Sequence, residues 1–94
     1  VKIRLRDILI VEVDEKYCYI ITGQKRHVIN IRLKDLLERL PSEDFIQVHR
    51  SYVVRKSAIE ELNIGEQTLR IADKTIPIGK TYKEQLLATL KFLA

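Results

Sequence analysis

Residues 45–56 read FIQVHRSYVVRK, two β-prone runs parted by three consecutive hydrogen-bonding side chains, and this block constrains the fold more than any other. Alternation along a strand turns Ile46 and Val48 toward a core and leaves Gln47 and His49 pointing away. His49, Arg50 and Ser51 then arrive together, and the apolar run Tyr52–Val54 follows at once. A strand that breaks for three polar residues and resumes puts them at the rim of a sheet. An imidazole, a guanidinium fork and a hydroxyl at one rim suit phosphate oxygens and base edges. An ordinary polar β-turn with a structural histidine would use the same tripeptide.

The remaining pattern is that of a mostly β domain with two helices. Ile8–Val13 and Tyr17–Thr22 read as strands joined by the acidic turn Asp14-Glu15-Lys16, and Gly23-Gln24 leads into a third strand, Lys25–Ile31. Leu33, Leu36, Leu37 and Leu40 recur at helical spacing, which predicts a short amphipathic helix near 32–40. Asn30 is its expected cap, and Pro41 ends it by disfavouring helical geometry in the residue before. Beyond the rim, Ile59–Ile64 and Gln67–Ala72 predict a hairpin around Gly65. Asp73-Lys74 makes a further turn and Thr75–Ile78 a last strand. Thr81 and Glu84 then have the spacing of a capping box ahead of Tyr82, Leu86, Leu90 and Leu93, which predicts a C-terminal helix near 81–93. Lys80 would precede the cap, beside amides that favour an anion. A lysine there adds nothing to helix stability and makes sense if a phosphate or a guanine acceptor binds.

With 94 residues and 46% hydrophobic content, residues 1–94 form one small domain. No run is long enough to cross a bilayer, and no segment resembles a signal peptide. The chain starts at Val1 and has no methionine, so it is expected to be a fragment lacking an N-terminal module. Its one cysteine, Cys18, excludes an internal disulfide, fits a reducing cytoplasm and reads as strand packing. Basic residues outnumber acidic ones by 17 to 13, a mild excess, so their placement matters more than their number. Lys25, Arg26, Arg50, Arg55, Lys56, Lys80 and Lys83 fall in turns or at element ends. Gathered at one end of a sheet they would hold a polyanion; scattered, they are only a solvated surface.

The block Phe45, Ile46, Val48, His49, Arg50, Ser51, Tyr52, Val53, Val54 resembles the hallmark of the LytTR family of bacterial DNA-binding domains. The resemblance continues upstream through IVEVDEKY (Ile10–Tyr17) and Leu40-Pro41, and downstream through Ile59, a hairpin and Ile76–Ile78 leading to Lys80. It covers nearly the whole chain in order. It implies a mostly β, elongated domain that binds double-stranded DNA through loops at one edge. Those loops enter successive major grooves and contact the backbone between them. The matching positions are the turn ending at Tyr17, with Lys16 beside it, then Arg50 and Lys80. Arg50 and Lys80 are the expected base readers, because both can pair with guanine acceptors. His49 and Ser51 would support the rim and reach phosphates, with Arg55, Lys56 and Lys83 as further DNA contacts. The resemblance further implies the output domain of a two-component response regulator, with a receiver domain upstream and paired direct repeats as target. The isolated domain would be a monomer that pairs on DNA, with no cofactor. Two positions depart from the family: Gly79-Lys80 replaces a common serine-arginine, and Arg55 replaces a common asparagine. The first exchanges a bidentate fork for a point charge.

Other functions fit less well. A Ser-His hydrolase could use Ser51 and His49, but the chain has no nucleophile elbow and no glycine-rich oxyanion loop. A metal site could draw only on His27, His49 and Cys18, with no short ligand spacing. A small β-barrel of the PilZ type, binding a cyclic dinucleotide, also combines arginines with a late helix. Its arginines are four apart, whereas Arg50 and Arg55 are five apart, and its serine-glycine motif is absent. A plain protein-interaction module is the remaining alternative.

Overall fold

Apolar residues fall on both sides of the central strands, so the sheet they build must be covered twice. The computed structural model of the protein, which describes residues 3–23 and 25–91, has this arrangement. The strands are β1 (Ile10–Asp14), β2 (Tyr17–Thr22), β3 (Lys25–Ile29), β4 (Phe45–His49), β5 (Tyr52–Arg55), β6 (Glu61–Asn63), β7 (Thr68–Ile71) and β8 (Lys74–Pro77). The helices are α1 (Leu33–Arg39) and α2 (Lys83–Lys91). A five-stranded antiparallel sheet has the order β3-β2-β1-β5-β4, and β6-β7-β8 form a second sheet of three. The molecule measures 36 × 23 × 23 Å, elongated as expected.

One face of the large sheet carries Val11, Ile20, Phe45 and Val53, against which α1 lays Leu36 and Leu40. The opposite face carries Ile10, Ile21, Ile46, Val48 and Val54, covered by Leu69, Ile71, Ile76 and Ile78 of the small-sheet region and by Leu86 of α2. The two faces give three layers. Each fully buried aliphatic side chain contributes about 1.5–3 kcal/mol of transfer free energy.

Several element ends differ from the sequence expectation, each for a local reason. Strand β3 stops at Ile29, because Asn30–Arg32 must travel to bring the leucine stripe over the sheet. Arg32, not Asn30, therefore occupies the cap of α1. It supplies no side-chain hydrogen bond, and its carbonyl accepts the first helical bond from the Leu36 N–H. Leu40 is extended before Pro41, as expected. In the β6–β7 turn the left-handed residue is Gln67 rather than Gly65, and the Asn63 side chain accepts the Glu66 N–H. The Thr81/Glu84 capping box does not form. A 3-10 turn, Lys80–Tyr82, precedes α2; its cap is Gly79 without a side-chain bond, and the main chain closes it through Tyr82 N–H to Gly79 O. Lys80 thus opens the turn instead of preceding a cap. Gln24 and Leu93, expected in a turn and on the helix face, lie outside the described residues.

Leu86, 1% exposed, is the residue by which α2 closes the second layer. Leu86→Ala should destabilise the domain by about 2–5 kcal/mol, the usual range for a buried leucine. Urea unfolding checks this, and a loss below 1 kcal/mol would mean that α2 is not anchored through this side chain.

Candidate nucleic-acid interface

The antiparallel register decides which loops become neighbours. In β1 and β2, Asp14 pairs with Tyr17, so the Glu15-Lys16 turn lies at one end of the sheet. In β1 and β5, Ile10 pairs with Val54 and Glu12 with Tyr52, which brings the Arg50-Ser51 turn to that same end. A hydrogen bond of 2.8 Å from Val13 N–H to Ser51 O ties the two turns together. The pairs they join are two strand spacings apart, about 10 Å. The third loop comes from the other layer: Gly79 N–H donates to Val48 O at 2.8 Å, setting Lys80 beside the end of β4. The approach is close, because a Cβ on Gly79 would lie 2.9 Å from Tyr82 Cδ2 and 3.6 Å from His49 Cα. Glycine stands here, in place of the family's common serine, with Tyr82 packed against it.

The Arg50-Ser51 turn is held by its own surroundings. Residue 48 is an extra residue in β4, since Gln47 pairs with Val53 and His49 with Tyr52. This bulge lets Val48 stay fully buried while His49 swings onto the face shared with Tyr52. Ser51 N–H donates to His49 Nδ1 at 3.1 Å, and Gln47 Nε2 donates to His49 O at 3.3 Å. The His49 ring meets Tyr52 edge-on, 5.6 Å between centroids. Tyr52 in turn gives its hydroxyl to Glu12 Oε1 at 3.3 Å. Burial raises the Tyr52 pKa, and the neighbouring Glu12 carboxylate raises it further by charge and by this bond, so the phenol stays protonated. A transverse row results, Val28–Tyr19–Glu12–Tyr52–His49, one residue from each strand. Arg26 closes it over the Tyr19 ring at 3.8 Å, with Nη2 3.5 Å from Glu12.

The nine residues expected at the site divide in two. Lys16, Tyr17, His49, Arg50, Ser51, Lys80 and Lys83 belong to the three converging loops; Arg50, Lys16 and Lys80 are exposed, as is Tyr17 at 49%. Arg55 and Lys56 do not join them. They lie at the opposite end of β5, about 15 Å along an extended chain from Arg50. Arg55 Nε donates to Ile8 O at 2.8 Å and Nη2 to Leu5 O at 2.6 Å, and its guanidinium lies 4.6 Å over Phe45. Lys56 Nζ donates to Ser42 O at 3.2 Å. Lys25 and Arg26, paired with Thr22 and Ile21, also sit at that far end of the strands. Arg55 and Lys56 were expected among the DNA contacts, but β5 carries its two ends apart. Conversely, Arg32 had gone unnoticed. Ile29 pairs with Cys18, so the chain leaves β3 at the same end as the Tyr17 turn, and Arg32 is exposed there. Its place depends on where β3 stops, which residue spacing did not reveal.

The LytTr DNA-binding domain family matches residues 1–91. The chain belongs to that family. Among curated proteins, it is 32% identical over 89 residues to the heme-containing CO-sensing transcriptional regulator RcoM 2 of Paraburkholderia xenovorans, covering 89% of this chain and 33% of that one. It is 27% identical over 85 residues to the sensory transduction protein LytT of Bacillus subtilis, covering 86% of this chain and 35% of that one. The chain thus spans about a third of the length of the curated relatives it matches. The fold is that of the LytTr DNA-binding domain of a putative methyl-accepting/DNA response regulator from Bacillus cereus. That match has a TM-score of 0.85 at 19% identity and covers 96% of this chain and 86% of that chain. As a LytTr domain, the chain is of the DNA-binding kind, mostly β with two short helices.

The division of the two arginines gives paired expectations. Arg50→Ala should weaken binding to a cognate duplex by about 1–3 kcal/mol, the worth of a bidentate base contact, and leave the melting temperature nearly unchanged. Arg55→Ala should do the reverse, because it strips charged donors from two backbone carbonyls, each bond contributing about 1.5–3 kcal/mol. Thermal melts and duplex titrations of both variants check this. A stable Arg55→Ala chain that binds DNA poorly would return Arg55 to the interface.

Proposed function

We propose that this chain is the DNA-reading output domain of a bacterial transcription regulator and that it engages duplex DNA with the end of the sheet formed by the three converging loops. The observation that carries the reading is the rigid presentation of exposed Arg50 between Lys16 and Lys80, through bonds linking β1, β4, β5 and the start of α2. Arg50 and Lys80 read guanine acceptors in the major groove, Arg50 as a fork and Lys80 as a point charge. Lys16, Tyr17, Ser51 and Lys83 contact the backbone and fix the register. The work is done in the cytoplasm. The cyclic-dinucleotide alternative loses its central element, because Arg50 and Arg55 sit at opposite ends of β5 and Arg55 is committed to Leu5 and Ile8.

A module upstream governs the output. The relatives include a heme-containing CO-sensing transcriptional regulator and a sensory transduction protein, so related segments occur in proteins named for sensing. For this chain a phosphoacceptor receiver is the reading that the family's usual architecture favours. A single small domain buries a modest interface, so two copies on paired direct repeats are needed for tight binding, the second held at high effective concentration by the first.

Two measurements test this. With phosphate contacts from the cations Lys16 and Lys83, log affinity should fall with log salt at a slope of about −2. Lys16→Ala or Lys83→Ala should flatten that slope by about one unit, and Lys56→Ala should not. A salt-independent affinity would point to a small-molecule or protein ligand instead. By sedimentation the isolated chain should be a monomer with micromolar-class affinity for one half-site, and fusion to a dimerising module should tighten binding to a paired site by about 100-fold or more. A stable dimer of the isolated chain would overturn the second expectation.

A further inference from the structure

Among the described residues the two sheets have four outer edges, and three of them are closed to a further strand. Beside β4, Gly79 N–H already bonds Val48 O. On β8, Ile78 N–H donates to Gln67 O, so the donorless nitrogen of Pro77 faces outward. Strand β6 is only three residues long. Strand β3, at the end of the five-stranded sheet, is the exception. Register fixes which of its groups are free. Val13 N–H bonds Ser51 O, so the backbone groups of Val13 face β5 and those of Glu12 face β2. The partner of Glu12, Tyr19, then faces β1, while Cys18 and Ile20 face β3 and are met by Ile29 and His27. Arg26 and Val28 are left with N–H and C=O directed outward, and no described residue bonds them. Val28 is also the most exposed large apolar side chain among the described residues, at 60%.

We propose that β3 is a docking edge for an extended acidic segment of a partner protein, which adds as a sixth strand and bonds to the main chain of Arg26 and Val28. Charge chooses the occupant. Residues 25–34, KRHVINIRLK, carry four cations and no carboxylate, in a chain with 13 acidic residues. Lys25 opens the strand and Arg32 lies just past its end; both are exposed, and neither makes an ion pair among the described residues. Arg26 leans back over Tyr19 toward Glu12, so its guanidinium lies over the sheet and not across the edge. Pairing with a second copy of β3 would bring two such basic stretches together, which the same cations oppose. The matching segment sets an apolar side chain next to Val28, extending the row Val28–Tyr19, with acidic residues on both sides of it. Strand β3 stands across the sheet from β4, beside which Arg50 and Lys80 lie, so the docked segment and a duplex do not compete.

The test pans a library of short random peptides, displayed on phage, against the 94-residue chain. Peptides that combine acidic residues with an apolar one should be enriched. On adding the best of them as a synthetic peptide, the Arg26 and Val28 amide signals should shift and their hydrogen exchange should slow. Val28→Pro removes an outward donor without touching a bond to β2, a substitution that an edge strand tolerates. It should weaken that peptide about tenfold or more and leave duplex binding at the parent value. Lys25→Glu, which keeps every backbone bond, should weaken the peptide about fivefold at low salt and less at high salt, and it carries the test if the proline variant unfolds. A panning that enriches nothing, or only basic or uncharged peptides, overturns the proposal. So does a peptide that binds both variants like the parent, or one that slows exchange at other amides. Displacement of the peptide by duplex DNA would give the stretch to phosphates instead, and a parent dimer that Val28→Pro dissolves would give the edge to a second copy; either result overturns the acidic partner.

Discussion

The pairing of β1 with β5 is the constraint on which the rest of this domain depends. The two strands are far apart in sequence, yet Ile10, Val11 and Glu12 align with Val54, Val53 and Tyr52 at the middle of the five-stranded sheet. The alignment is fixed by burial. A slip of one residue would turn Val11 and Val53 away from α1 and send Glu12 into the aliphatic layer beneath Leu36 and Leu40. Once that register is set, the Glu15-Lys16 and Arg50-Ser51 turns must emerge side by side, with no further interaction required to find each other. Such non-local pairing is slow to form and costs chain entropy, but it makes the geometry of the edge a by-product of the core.

Burial on both faces leaves the end of the sheet as the place where the strands can present side chains. With α1 over one face and the second sheet with α2 over the other, the strands have little free surface to offer. What remains open is the row from Val28 to His49 near the reading end, and the turns themselves. Turns ordinarily make soft binding surfaces. Here the Arg50 turn is bonded through Ser51 O to β1, through Ser51 N–H to His49, and next to it through Val48 O to Gly79. Three different elements determine the position of one exposed guanidinium.

Much of this was legible in the residues. The alternation of Ile46 and Val48, the leucine stripe of α1 and the stop at Pro41 all predicted what the chain does, because each rests on a local periodicity or a steric rule. The convergence of Tyr17, Arg50 and Lys80 came from the family resemblance, and the register accounts for it physically. What failed were inferences in which a side chain was asked to cap. Asn30 and the Thr81/Glu84 pair have the right chemistry, yet the main chain closed those turns elsewhere, because tertiary contacts such as Gly79 N–H to Val48 O set where each helix starts. Arg55 misled for another reason. Charge in a sequence does not say which way a guanidinium faces, and a partly buried fork over Phe45 with two carbonyls in reach is a structural clamp.

The helices carry their own argument about how DNA is met. A recognition helix needs a free basic face. The outward residues of α1 are Lys34, Asp35, Glu38 and Arg39, which cancel in charge. Among the described side chains, those of α2 are Glu84, Gln85 and Ala88, with Lys83 half-buried at its start, Leu86 fully enclosed and Leu90 packed on the core. Neither surface would be drawn into a groove lined by phosphates, and neither can turn its apolar side outward without uncovering a layer of the sheet. The exposed basic residues that converge at one end of the sheet are those on the loops, Lys16, Arg50 and Lys80. A domain with a net charge of only +4 can still bind through them, because the field that matters is local to one end, while Arg55, Lys56 and Arg26 are occupied elsewhere by carbonyls or by Glu12. The proposed reading by loops thus agrees with how the core uses its helices.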